Sequence, residues 1–407
     1  MEYGLLGEKL GHSFSPQIHR ALGGYDYRLL PTPPEEVEAL LRRRAFRGLN
    51  VTIPYKQTVI PLCDRVDPRA AAIGAVNTIV NRDGLLEGCN TDIDGLIDLA
   101  RRAGVDMAGK KVVILGSGGT SRTAQAAAGE LGAASVTVVS RGGADNYGNL
   151  SRHGDAQVLI NTTPVGMYPR CGVSPVDLDL FPALTGVLDV VYNPLRTALV
   201  LAAEDRGIPC SGGLPMLVSQ ARRAAELFTG TTIPDSRMEE ALAALTRQVR
   251  SVVLVGMPGC GKSAVGRALA RRLGKEFVDM DALISARAGK SIPDIFAQDG
   301  EEAFRTLESQ IAREAGSRTG CVISTGGGAV TRPENRDPLR QNGVVVHLTR
   351  DLALLPRSGR PVSQSTDLEE LWARRAPLYA AFADLTVPNS GAVEAAADTI
   401  VKELNAL

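Results

Sequence analysis

Two glycine-rich turns, each set between an apolar run and an amphipathic stretch, constrain this chain more than any other feature. They are "VVILGSGGTSRTAQAAA" at 112–128 and "VVLVGMPGCGKSAVGRALARRL" at 252–273. An apolar run that meets glycines and then takes up a helical period reads as buried strand, tight turn and helix. That is the unit of a parallel sheet with crossover helices. The rhythm repeats in "KVVILG" (111–116), "SVTVVS" (135–140), "QVLINT" (157–162) and "VLDVVY" (187–192). It restarts in "SVVLVG" (251–256), "EFVDMD" (276–281), "CVISTGG" (321–327) and "VVVHLT" (344–349). The chain therefore reads as α/β, in two series.

At 407 residues it exceeds one ordinary core. The segment "TGTTIPDSRMEEALAALTRQVR" (229–250) separates the series. Asp235 or Ser236 caps a helix there, with Glu239 and Glu240 in its first turn and Arg247 and Arg250 at its end. The expected layout is 1–100, completed by helices over 216–247, then 101–215, then 251–407. Basic and acidic residues balance at 45 each, which argues against nucleic acid or an anionic membrane surface as partner. No apolar run approaches the ~20 residues of a membrane span, and the first residues carry no signal-peptide pattern. Six scattered cysteines without a C-x-x-C pair point to a reducing cytoplasm rather than a zinc or disulfide framework.

In the first turn Gly116, Gly118 and Gly119 let the backbone approach a pyrophosphate, which the helix start near Thr120 faces. Ser121 stands where a third glycine or alanine would complete the dinucleotide pattern, so a plain strand–helix turn remains an alternative. The next strand ends at Ser140–Arg141, where an NAD site places an acid. An arginine there pairs with a 2′-phosphate and favours NADP; a loop arginine is the other reading.

Residues 1–100 concentrate polar groups in "GHSFSPQIH" (11–19), "GLNVTIPYK" (48–56), "GAVNTI" (74–79) and "GCNTDIDG" (88–95). Hydroxyls and amides of this kind can hold a small polyhydroxy acid. A lysine beside an aspartate can hand a proton to a carbonyl oxygen. With "LGSGGTS", "INTTPVGM", "DVVYNPLRT" and "GGLPMLVSQA" following in order, residues 3–247 resemble shikimate dehydrogenase. The resemblance implies Lys56 and Asp92 as the catalytic pair. It assigns substrate contacts to Ser13, Ser15, Thr52, Asn77, Asp92, Tyr192 and Gln220. It assigns the cofactor to Gly116, Ser117, Gly118, Gly119, Thr120, Ser140 and Arg141, with Gly213 beyond them and Thr162 and Met216 at the nicotinamide. A homodimer through this unit follows from the resemblance alone.

The second turn fits the phosphate-loop template. Gly256, Gly259 and Gly261 free N–H groups to cradle phosphates, with Cys260 and Ala264 adding theirs. Lys262 reaches the β- and γ-phosphates and Ser263 holds Mg²⁺. Asp279 and Asp281 end a strand, where a period of two puts them on one face. "STGGGAV" (324–330) offers amides to an anion, and Arg305 and Arg375 are natural carboxylate clamps. Residues 251–400 resemble shikimate kinase. The resemblance implies shikimate contacts at Asp281, Arg305, Gly327, Gly328 and Arg375, with Glu308 bracing Arg305 and Asp281 orienting the attacking hydroxyl. It assigns Lys262, Ser263 and Asp279 to ATP and Mg²⁺, and Arg360 to the transferred phosphoryl group. The lid is short, with two residues between Arg357 and Arg360, which implies incomplete closure and some loss of ATP to water. The basic adenine clasp is reduced to Asn389 and Ser390.

The expected architecture is an α/β substrate domain with a Rossmann NADP domain, followed by a P-loop NTPase domain of the nucleoside monophosphate kinase kind. The expected chemistry is NADPH-dependent reduction of 3-dehydroshikimate to shikimate, then phosphorylation to shikimate 3-phosphate by Mg-ATP. Two alternatives remain: an NAD-dependent quinate/shikimate dehydrogenase fused to a weak kinase, and a non-catalytic metabolite sensor.

Overall fold

The β-branched runs form strands, and their order in each sheet places the sites. The computed structural model describes residues 2–11, 13–355 and 367–406. His12, Arg357 and Arg360 lie outside the described residues. The chain divides into two units, Met1–Met167 with Val173–Thr246, and Tyr168–Gly172 with Arg247–Leu407.

The first unit holds two sheets. One runs Tyr27–Pro31, Tyr3–Gly7, Gly48–Val51, Thr78–Arg82, Leu85–Cys89, Arg65–Val66. Its first three strands are parallel and the next two join antiparallel. The other sheet is wholly parallel, in the order Cys210–Ser211, Gly186–Asp189, Val158–Asn161, Lys111–Leu115, Ser135–Val139. Strand Lys111–Leu115 is apolar and buried from Val112 to Leu115, as a parallel strand covered on both faces requires. Helix Leu214–Thr229 serves both cores: Met216 packs in the cluster around Ile93 and Leu96, and Phe228 stacks on Tyr3 at 5.3 Å.

The second unit has one parallel sheet, Glu276–Asp279, Cys321–Ser324, Ser251–Val255, Gly343–Thr349, Leu385–Pro388. Here the structure corrects the strand reading of Asp279 and Asp281. The strand stops at Asp279, which becomes the cap of helix Met280–Ala288 and accepts the Asp281 N–H at 3.1 Å. Asp281 is delivered by a helical first turn, not by strand alternation. The connecting helix spans Asp235–Val249, so Asp235 is its first residue rather than its cap. Lys275 Nζ donates to the Arg247 and Gln248 carbonyls, and the Gly320 N–H to that of Val249. The helix's last carbonyls are thereby satisfied.

One close approach sets the first site. Gly95 lies in helix Asp92–Arg102, and a Cβ there would fall 2.8 Å from the Met216 carbonyl and 3.1 Å from Gln220 Cβ. Glycine lets this helix lie directly on helix Leu214–Thr229. Gly95→Ala should destabilise the first unit by about 1–3 kcal/mol through overpacking. Calorimetry checks this; an unchanged first-unit transition would count against the close approach.

Candidate active sites

Asp92 opens its helix under tight control. Asn90 Oδ1 accepts the N–H of Asp92 (3.1 Å) and of Ile93 (3.4 Å), capping the helix, while its amide donates to the Ala75 carbonyl at 2.9 Å. Asn77 grips Thr91 from both ends of its amide, at 2.7 and 3.1 Å. The Asn77 Nδ2 therefore keeps one N–H for a ligand. Lys56 arrives on the loop after Gly48–Val51, its carbonyl held by the Val76 N–H at 2.8 Å. The result is an ion pair of 2.6 Å between Lys56 Nζ and Asp92 Oδ2, with side chains 20% and 11% exposed. A pair this enclosed is screened less than a surface pair, yet still open to a small ligand.

Gln220 and Met216 reach the same helix through Gly95. Ser13 donates to Ser15 at 3.1 Å, and Phe14 between them meets Tyr192 edge-on at 6.2 Å. Thr52 follows strand Gly48–Val51, its N–H on the Leu6 carbonyl at 2.9 Å. The polar loop beginning at Gly11 is shorter than "GHSFSPQIH" suggested. Helix Ser15–Gly23 takes His19 into the core, stacked on Tyr27 at 4.0 Å and bonded to Tyr25 at 2.7 Å. Burial lowers its pKa to about 3, so it stays neutral there.

At the first glycine turn, Gly116 sits at φ +106°, and Thr162 Oγ1 donates to the Leu115 carbonyl at 2.6 Å beside it. Helix Gly119–Glu130 has no side-chain cap, and a Cβ on Gly118 or Gly119 would meet open space. Its first N–H groups, with Ser117 and Thr120 alongside, are left for an anion. Arg141, just past Ser140, is exposed and forms no ion pair among the described residues. Gly213 spends its N–H on the Val191 carbonyl, and a Cβ there would lie 2.1 Å from the Val190 oxygen. Its evident task is a close approach ahead of Met216. Sequence reading missed the buried Asp189, which accepts from Thr197 (2.7 Å), Val191 N (3.0 Å) and Asn161 (3.0 Å). Burial raises its pKa to about 6 against those donors.

The second site is a cavity of about 480 Å³ whose walls include the phosphate loop, Asp281, Arg305, Glu308 and Arg375. Lys262 Nζ donates to the carbonyls of Gly256 (2.9 Å) and Met257 (3.1 Å), keeping its third N–H for a phosphate. Gly259 and Gly261 take φ of +85° and +99°, turning the loop around Cys260 into the helix that starts at Lys262. Ser263 Oγ lies 3.3 Å from Ser324 Oγ and lines the cavity with Ala264. Ser263 and Asp279 are the residues that would hold a Mg²⁺ carried on the phosphates, and the cavity-facing hydroxyl fits that use.

Across the cavity, Arg305 bonds Glu308 at 2.7 Å, and Glu308 is wholly buried. Burial pushes the Glu308 carboxyl up, opposed by Arg305. Gly328 lets the guanidinium lie against the loop, since a Cβ there would sit 2.2 Å from Arg305 Nη1. Arg375 (3.0 Å) and Tyr379 (2.6 Å) both donate to the Gly327 carbonyl. Sequence reading named only Arg375. The signal was there: Tyr379 lies four residues on, on the same face of helix Leu368–Phe382. Asn389, expected at the reduced adenine clasp, has a structural bond of its own. It is buried and donates 2.7 Å to the Cys260 carbonyl, bracing the phosphate loop.

Comparison with known proteins bears on both sites. The family model described as shikimate kinase matches residues 258–405. The shikimate dehydrogenase substrate binding domain matches 5–79, and the shikimate 5'-dehydrogenase C-terminal domain 213–243. The shikimate dehydrogenase (NADP(+)) of Moorella thermoacetica is 39% identical over 268 residues, 58% of this chain and 91% of that protein. The crystal structure of shikimate 5-dehydrogenase from Thermus thermophilus in complex with NADP(H) and shikimate matches with TM-score 0.55 and 34% identity. It covers 60% of this chain and 99% of its own. Quinate dehydrogenase from Corynebacterium glutamicum in complex with NAD matches with TM-score 0.55 and 29% identity, over the same shares of each chain. This chain belongs to the shikimate dehydrogenase family, with a shikimate kinase domain behind that part. It is thus an oxidoreductase and a kinase of the shikimate pathway in one polypeptide, with NADP(H), ATP and Mg²⁺ as cofactors.

Two predictions come from the buried acids. Because burial raises the Asp189 carboxyl above its unfolded value, the folded state holds that proton more tightly. Its stabilisation is complete below about pH 4 and lost as pH rises through about 6. Asp189→Asn mimics the protonated form, so denaturant melts should lose that slope and show a gain on the order of 2 kcal/mol at pH 7. Glu308→Ala leaves Arg305 with only the exposed Glu301, 3.2 Å away, and should destabilise the second unit by about 3 kcal/mol, the low end for breaking a buried pair. Glu308→Gln should cost less in the same urea titration.

Proposed function

We propose that the first unit reduces 3-dehydroshikimate to shikimate with NADPH, and that the second phosphorylates shikimate to shikimate 3-phosphate with Mg-ATP. The observation that carries the reading is the 2.6 Å Lys56–Asp92 pair beside a glycine turn that leaves helix N–H groups open. NADPH supplies the hydride when bound, and Mg-ATP the phosphoryl group. As the substrate carbonyl gains electrons, its oxygen takes a proton from the Lys56–Asp92 pair, which acts as one coupled system. Ser13, Ser15, Thr52, Asn77, Tyr192 and Gln220 hold the ring hydroxyls and carboxylate. Arg141, exposed and unpaired among the described residues, takes the 2′-phosphate.

In the second unit Arg305 and Arg375 clamp the shikimate carboxylate, and Gly327 and Gly328 close on the ring. Asp281 orients the attacking hydroxyl and accepts its proton. Lys262 draws charge from the leaving phosphates. The domain bounds expected from sequence, the reductive direction and a cytoplasmic setting for six free cysteines belong to this proposal.

The similar quinate dehydrogenase favours a second reading, oxidation of a quinate-like acid with NAD. Comparing kcat/KM for NADP⁺ with NAD⁺ and for shikimate with quinate separates the two. The main test is a coupled assay on 3-dehydroshikimate, NADPH, ATP and Mg²⁺. Both NADPH loss and shikimate 3-phosphate should appear. Lys56→Ala should cut the first rate by about 100-fold or more and leave the second. Lys262→Ala should do the reverse. Binding without turnover in either half would overturn the enzyme reading in favour of a metabolite sensor.

A further inference from the structure

The phosphate loop has a cationic neighbour that the assignments above do not use. Strand Gly343–Thr349 runs beside Ser251–Val255, with His347 level with Val255. Both strands therefore deliver their ends to the same edge. The approach is tight: a Cβ on Gly256 would lie 2.4 Å from the Leu348 carbonyl. The first residue past that strand is Arg350.

Its guanidinium lies against the loop. Nη1 is 4.0 Å from where a Cβ on Gly261 would stand, and Gly261 immediately precedes the helix that opens at Lys262. Asn389 occupies the same flank and holds the Cys260 carbonyl. The Arg350 Nε is shut off from solvent and has no hydrogen-bond partner among the described residues. Among the described residues no carboxylate pairs with its head group. A buried, unpaired guanidinium nitrogen carries a desolvation cost that a partner would remove. At the rim of a loop built to gather phosphates, the partner that matches its charge and planar fork is a phosphate oxygen.

We propose that Arg350 is a nucleotide-binding residue of the kinase unit, pairing with a phosphate of ATP held in the loop. This rests on the kinase reading above and adds a second fixed cation to Lys262. It acts on ATP rather than on the acceptor: its close approach is to Gly261 of the phosphate loop, and it is not among the described residues that line the cavity with Asp281, Arg305 and Arg375.

The test compares the full-length protein with Arg350→Ala, Arg350→Lys and Arg350→Gln. Arg350→Ala should raise KM for ATP by about tenfold, the scale of one charge-assisted hydrogen bond. Arg350→Lys should recover part of the loss and Arg350→Gln little. KM for the acceptor and the dehydrogenase rate should stay within about twofold, which also reports that the chain is folded. Inhibition by inorganic tripolyphosphate should weaken in parallel with ATP. An unchanged KM for ATP, or a loss for ATP with tripolyphosphate inhibition intact, would overturn the phosphate assignment. If Lys262→Ala also left ATP binding untouched, the kinase reading itself would fail, which is a different outcome.

Discussion

Parallel strands bring their carboxyl ends to one edge, and both sites depend on that constraint. Where strands end together, loops meet, helices begin, and unsatisfied helix N–H groups face the same space. The first glycine turn follows Lys111–Leu115, and Thr162 reaches it from the end of the neighbouring strand. The phosphate loop follows Ser251–Val255, and the ends of Cys321–Ser324 and Gly343–Thr349 flank it. Each added strand brings a further functional segment to one address.

The two units use charge differently at those edges. Lys56 and Asp92 form a direct pair that remains partly open to solvent, which suits the exchange proposed for it. Arg305 and Glu308 form a pair closed away from water, which suits orientation rather than exchange. Burial decides the roles. A carboxylate with solvent at hand can trade its proton, whereas an entombed one mainly fixes its partner. Asp189 is a third case, an acid that accepts from three donors yet is costly to keep ionised because it is buried.

Much of this was legible in the sequence. Each of the eight apolar runs holds a strand, and both glycine turns sit between strand and helix, because period and punctuation are local properties. Lys56 and Asp92 were legible only through ordered motifs, since nothing local says that two loops so far apart will meet. The failures share one cause. Asp281 was misplaced because the period changes one residue after Asp279. His19 was counted with a polar loop although the helix rotates it under Tyr27. Asn389 and Tyr379 work through backbone carbonyls, and a carbonyl leaves no mark in a sequence.

The helix that joins the two units ends on partners supplied from beyond it. Lys275 and Gly320 take the carbonyls of Arg247, Gln248 and Val249. An excised kinase starting at Ser251 would lose those three acceptors and strand an ammonium beside the edge of its own sheet. The natural cut for a stand-alone version lies upstream of Arg247, inside what looks from the sequence like the tail of the other enzyme. The boundary of the second unit thus follows hydrogen bonds rather than the first strand of its sheet.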